Sequence, residues 1–119
     1  MEWKLTDDRP IWLQLTEQMT RRIITGMYPT GSRLPSVREL ATEAGVNPNT
    51  MQRALAQLEQ DGLAKSDRTA GRTVTQDTSI LDAVRKAQAQ GVIHQYFDGM
   101  AELGYSRQEA VELVKEDQQ

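Results

Sequence analysis

The 119-residue chain predicts a mainly α fold with a small β-hairpin, and three observations carry that prediction. Apolar residues recur three and four positions apart along most of its length, the mark of amphipathic helices. Glycine and proline interrupt that pattern at Gly26, Pro29, Pro35, Gly45, Pro48 and Gly62, so the early helices must be short and separate. Between residues 63 and 75 the helical period stops, and two brief strand-like runs flank a glycine-containing bend.

After an extended start, Trp3 to Asp8, Pro10 stands as a first-turn residue of a helix bearing Ile11, Leu15, Met19 and Ile23, which Gly26 ends. The prolines and glycine of Tyr28-Pro29-Thr30-Gly31-Ser32-Arg33-Leu34-Pro35 read as a loop. A second helix carries Val37, Leu40, Ala41 and Ala44 on one stripe, with Ser36 as its cap and Glu39 as capping-box partner. Gly45 supplies the left-handed residue that closes it.

Asn47 then caps a third helix and Pro48 opens it, since at the first helical position a missing amide proton costs nothing and the fixed φ is already helical. Met51, Ala54, Leu55 and Leu58 form its buried stripe, while Asn49, Gln52, Arg53 and Gln60 fall on other faces. Gly62 is the stop. Leu63 to Ser66 and Arg72 to Thr75 form the hairpin, with Leu63 and Val74 facing inward; it is too small to stand alone and must pack on the helices.

Beyond Ser79 a helical pattern returns through Ile80, Val84, Ala87, Ile93, Phe97, Met100 and Ala101, with Gly91 placed to bend or divide it and Gly104 to end it. Ser106 and Glu109 make a capping box for a last short helix with Ala110, Val111 and Val114. The expected domains are residues 1–76 and 77–119.

Composition narrows the function. A hydrophobic content of 38% with 26% charged residues suits a soluble globular protein, and no run approaches the roughly 18 apolar residues of a membrane span. The N-terminal MEWKLTDDRP does not read as a secretory signal, and zero cysteines exclude disulfides and thiolate metal sites, so a cytoplasmic location without a membrane partner is expected. The net charge of −3 hides an asymmetry: residues 1–75 hold ten Lys and Arg against nine Asp and Glu, residues 76–119 four against eight. The acidity therefore sits in the tail, and the first part can carry a basic face. No histidine-supported nucleophile and no phosphate loop occurs, so the chain is not expected to be an enzyme, and no cofactor is implied. His94 and Asp98 share a helix face, but without a second histidine or a cysteine no metal site is assigned.

Two short helices joined by a glycine turn, the second polar at its outward start, have the layout of a helix-turn-helix, and the hairpin adds a wing. In such a unit the second helix enters the major groove. Asn and Gln can pair with adenine, Arg with guanine, and Thr can offer a hydroxyl or a methyl, so Asn49, Thr50, Gln52 and Arg53 are the candidate readers. Free amides at the helix start are available to a phosphate. Arg33, Arg38, Lys65, Arg68 and Arg72 are candidate phosphate contacts, which set register without reading sequence. Asn47 and Pro48 alone are fully explained as a cap, so the whole helix-glycine-helix-hairpin order carries the reading.

Three linked runs then carry a resemblance: Leu34-Pro35-Ser36-Val37-Arg38-Glu39-Leu40-Ala41, Val46-Asn47-Pro48-Asn49-Thr50, and Leu58-Glu59-Gln60-Asp61-Gly62-Leu63. Over about residues 9 to 75 the chain resembles the winged helix-turn-helix of GntR-family bacterial transcription regulators, and Asn-Pro-Asn-Thr with the short helical tail is similar to the YtrA-like subfamily. That resemblance implies a dimeric regulator, usually a repressor, bound to double-stranded DNA at an inverted repeat. It implies contacts from Arg38, from the recognition helix and from the wing glycine, which adds Ser36, Asn47, Gly71 and Thr73 to the DNA-facing set. The wing departs from the family's Gly-x-Gly-Thr pattern, because Ala70 replaces a glycine and Asp67 is acidic.

Set beside larger members of that family, the tail is expected to be a dimerisation element rather than an enclosed effector pocket, with an unidentified small-molecule effector as a further candidate partner. Its apolar residues Ile80, Val84, Ile93, Tyr96, Phe97, Met100, Leu103, Val111 and Val114 are too many for a segment that cannot build its own core. Burial against a second copy, on a two-fold axis matching a palindrome, is the expected solution, a short helical dimerisation tail, with packing on the chain's own first helix as the alternative. Two rivals stand beside this reading: a winged-helix protein-interaction module without sequence-specific DNA binding, and a metabolite- or metal-sensing switch.

Overall fold

The computed structural model describes residues 2–118; the first residue of the expected 1–76 domain and the last of 77–119 lie outside them. The elements are α1 (Ile11–Ile24), α2 (Val37–Ala44), α3 (Pro48–Gln60), β1 (Ala64–Asp67), β2 (Gly71–Val74), α4 (Thr78–Glu102) and α5 (Arg107–Asp117). They divide into two compact units, the first running to Asp82 and the second starting at Ala83.

In the first unit α3 packs on α1 and α2 through the stripes the sequence marks, with Leu15, Met19, Leu40, Met51, Leu55 and Leu58 all fully buried. The inward hairpin residues Leu63 and Val74 join them. At roughly 1.5–3 kcal/mol for each such side chain removed from water, this core is the dominant favourable term of the unit. Pro10 stands one position earlier than expected: it is the N-cap of α1, with extended ψ, and Ile11 is the first helical residue.

Two segments that read as irregular are ordered by backbone pairing. Ser32 to Leu34 runs along β2: Val74 N–H donates to Ser32 O and Leu34 N–H to Arg72 O, both 2.8 Å, with an antiparallel bridge between Arg33 and Thr73. The expected loop thus supplies a third edge to the two-stranded wing. At the N-terminus, the Gln14 side chain accepts from Thr6 N–H at 2.8 Å and donates to Thr6 O at 2.9 Å. Gln18 does the same for Lys4, at 2.9 and 2.6 Å. Two glutamines one turn apart therefore act as strand mimics that tie down the extended arm.

Arg22, only 1% exposed, closes this corner by donating to the Tyr28 hydroxyl and the Glu43 carboxylate, each at 2.9 Å. Its guanidinium lies 4.0 Å from the Trp3 ring centroid, and the Trp3 indole N–H donates to the same Glu43 at 2.9 Å. A buried cation persists because a carboxylate, a hydroxyl and an aromatic face replace its water.

In the second unit the Tyr96 hydroxyl donates to Ala110 O at 2.6 Å and the Tyr96 and Phe97 rings meet edge to face at 5.3 Å. Arg107 covers Phe97 at 4.0 Å. The Ser106–Glu109 capping box has both of its arms. Gly91 does not divide the helix: α4 is continuous over 25 residues, because one glycine costs a helix only about 1 kcal/mol against alanine and the flanking turns carry it. Among the described residues no helix is long and apolar enough to cross a membrane.

Candidate nucleic-acid interface

The α2–α3 turn is built by local backbone chemistry. Gly45 takes φ 70°, Val46 N–H donates to Ala41 O at 2.9 Å and Gly45 N–H to Thr42 O at 3.2 Å, a Schellman closure. At the other end of α2, Ser36 Oγ accepts from Glu39 N–H. Asn47 Oδ1 accepts from Asn49 N–H at 2.7 Å, and Pro48 occupies the first helical position. Asn47→Ala is expected to cost about 1 kcal/mol and to lower the melting midpoint by roughly 4–8 °C, measurable by circular dichroism.

One expectation is corrected at this start. The amides that follow the cap are engaged: Asn49 N–H goes to the Asn47 side chain, and Thr50 and Met51 N–H go to Asn47 O at 3.0 and 3.1 Å. Pro48 has none. The asparagine cap that orders α3 engages these three donors, so DNA contact from Asn49 and Thr50 falls to their side chains.

The burial of Met51, Ala54, Leu55 and Leu58 leaves Asn49, Gln52 and Arg53 exposed and Thr50 half-exposed on the outer face. Arg53 is not loose: its guanidinium lies 4.1 Å from the ring centroid of Trp12 on α1. Arg33, Arg38, Lys65 and Arg68 are exposed and form no ion pair among the described residues. Arg33 is brought to the wing, since a Cβ built on Gly71 would stand 3.5 Å from its Nε. With φ +74°, Gly71 holds a conformation that disfavours any side chain.

In the hairpin Lys65 pairs with Thr73, Ser66 with Arg72 and Asp67 with Gly71. Asp67, which sequence reasoning counts as an acidic intrusion, forms the wing turn: Oδ1 accepts from Thr69 N–H and Oγ1 at 2.8 Å and from Ala70 N–H at 3.2 Å. The Thr69 backbone bond, followed by its hydroxyl, holds the Asp67 carboxyl below its ordinary range. Thr73 is 9% exposed and its Oγ1 is buried, with no hydrogen-bond partner among the described residues, so its hydroxyl does not face solvent. Arg72 Nε donates to Glu59 Oε1 at 2.7 Å, leaving its terminal nitrogens for other acceptors.

Glu59 therefore joins α3 to both wing strands, for the Ser66 hydroxyl also donates to it. The Ser66 bond first, then Arg72, lowers its pKa from 4.5. A carboxyl whose folded pKa is depressed contributes stability above its unfolded value and loses it as pH falls through the folded one. As pH falls below the ordinary glutamate range the wing is expected to loosen from α3, read as exchange broadening of the Ser66 and Arg72 amides in an acid titration; Glu59→Gln should remove that transition. Nothing in the sequence marks Glu59 or Trp12, because the partners Arg72 and Arg53 stand on other elements.

In the second unit Val92, Ile93, Tyr96, Phe97, Val111, Val114 and the Lys115 stem line an apolar groove of about 470 Å³. Five of the expected dimerisation residues meet there. Met100 is half-buried and Leu103 exposed, neither in its lining. Val84 is also half-buried outside it, and Ile80 lies in the first unit, against Gly62. Among the described residues no group of three His, Cys, Asp or Glu side chains could hold a metal.

A family model described as bacterial regulatory proteins, gntR family, matches residues 13–74. The uncharacterized HTH-type transcriptional regulator YhcF of Bacillus subtilis is 31% identical over 97% of this chain and 95% of its own. The HTH-type transcriptional repressor YtrA of the same organism is 31% identical over 76% and 75%. Among solved structures, a GntR family transcriptional regulator from Listeria monocytogenes superposes with a TM-score of 0.84 at 33% identity, over 94% of this chain and 98% of that one.

Proposed function

The chain belongs to the GntR family of bacterial regulatory proteins and is a transcriptional regulator, not an enzyme, with a DNA-binding domain; from that premise we propose that it is a homodimeric repressor of an inverted-repeat operator. Residues 1–76 would bind DNA and 77–119 dimerise, in the cytoplasm where chromosomal DNA lies. The observation that carries the reading is the exposed polar face of α3 with Asn49, Gln52 and Arg53 on it, accompanied by exposed Arg38 of α2 and Lys65 and Arg68 of the wing, which form no ion pair among the described residues. Asn and Gln read adenine and Arg reads guanine in the major groove, while Arg33, Arg38, Lys65, Arg68 and the terminal nitrogens of Arg72 hold the flanking phosphates. Ser36, Asn47 and Gly71 act by building the two helix starts and the wing. The repressor role is supported by similarity to a named repressor. The dimer is supported by the open apolar groove of the second unit.

Selection of bound DNA from a random pool tests this. An inverted repeat should be enriched, with affinity falling steeply as salt rises. Gln52→Ala should flatten preference at one position in each half-site, at about 1–3 kcal/mol per lost pair, whereas Arg38→Ala should weaken all sequences alike and reduce the salt slope by about one. A pool that emerges without any enriched sequence would leave the protein-interaction rival standing instead.

A further inference from the structure

We propose that Trp12 is a positioning residue for DNA recognition: it holds Arg53 of α3 with its guanidinium laid on the indole face and its edge free for a planar pair of acceptors on DNA. The inference rests on the reading of α3 as the DNA-facing helix. Arg53 is exposed and lies 4.1 Å from the Trp12 ring centroid, the distance of a face-on stack. Trp12 is half-buried in the first turn of α1, a helix packed on α3. The contact crosses between two helices that share a core, so its geometry is set by packing rather than by a surface loop.

Chemistry makes the stack useful. All five guanidinium donors lie in its plane, so an aromatic partner occupies a face and takes none of them. An arginine free in solvent loses rotamer freedom when it meets DNA; one already resting on tryptophan, the strongest cation–π ring, has lost much of it beforehand. A carboxylate in the same place would consume donors and oppose phosphate, as Glu59 does in part for Arg72. Arg53 has the aromatic partner, so it is oriented without being neutralised.

The test uses the full chain and the best DNA selected by the wild type. Binding is measured for W12F, W12L, R53A and W12L/R53A, with a thermal melt of each to separate orientation from folding. R53A should lose about tenfold or more in affinity, W12L about three- to fivefold, and W12F should stay near the wild type because a phenyl face still accepts the cation. The double variant should be no weaker than R53A. Guanine O6/N7 and a phosphate offer Arg53 the same acceptor pair, and repeating the selection separates them. A base contact flattens one position of each half-site in both W12L and R53A, while a phosphate contact flattens none and lowers the salt slope by about one in both. W12L binding as well as or better than the wild type, or losses that add in the double variant, would overturn the positioning role alone. An unaffected R53A would overturn both the placement of Arg53 at DNA and this proposal, and a wild type that selects no DNA would overturn the reading of α3 itself.

Discussion

Leu55→Ala is expected to destabilise the first unit by about 2–5 kcal/mol and, through it, to abolish DNA binding at moderate temperature. Leu55 is 0% exposed in the middle of α3, within the layer where that helix packs on α1 and α2. Truncation removes three carbons from a site whose neighbours Leu15, Met19, Met51 and Leu58 are also fully buried, so little can collapse into the space. For a unit of this size, each 1 kcal/mol moves the melting midpoint by roughly 4–8 °C, and a loss near the middle of the range is a substantial part of total stability. Differential scanning calorimetry reads the shift. Leu55→Met, which conserves volume, should cost under about 1.5 kcal/mol. A midpoint unchanged in Leu55→Ala would mean that α3 is not held by this layer.

The second large effect lies at the other end of the chain. With aspartate at both Ile93 and Val111, the protein is expected to sediment as a single copy and to bind its operator about 10²- to 10⁴-fold more weakly, the gain that linked half-site binding confers. Ile93 is 50% exposed and Val111 39%, and both line the apolar groove of the second unit. A carboxylate there costs little in the separate chain, where water reaches it, and several kcal/mol in an apolar interface that buries it without a partner. Retained helix content in circular dichroism would show that α5 stays folded, its capping box and the Tyr96 bond to Ala110 O being untouched. A mass that stays at two copies would sink the groove as the interface.

Much of the fold is legible in the residues because the decisive interactions are local. Gly45, Asn47, Pro48, Ser106 and Glu109 each act within one helical turn, and the spacing of Met51, Ala54, Leu55 and Leu58 states which side of α3 is buried without reference to what buries it. The same period exposes Asn49, Gln52 and Arg53, so the candidate reading face could be listed from the chain alone.

Contacts that join residues distant in sequence could not. Gly91 signals a break by propensity, yet the turns on either side carry α4 through it. The 32–34 segment, read as loop from its prolines and glycine, becomes a sheet edge only when β2 lies beside it. Asp67 reads as a misplaced charge until the turn geometry gives its carboxylate three donors. Glu59 on Arg72, Trp12 under Arg53, and Glu43 with Trp3 around Arg22 link elements whose approach is set by packing of the core. The sequence by itself determined the buried faces of the early helices and the caps of α2, α3 and α5, because backbone conformation and apolar period act over a few residues. The tertiary structure alone decided which cations are held, by what, and which donors remain free, because an ion pair or a stack exists only where two chain segments have been brought within about 4 Å of each other.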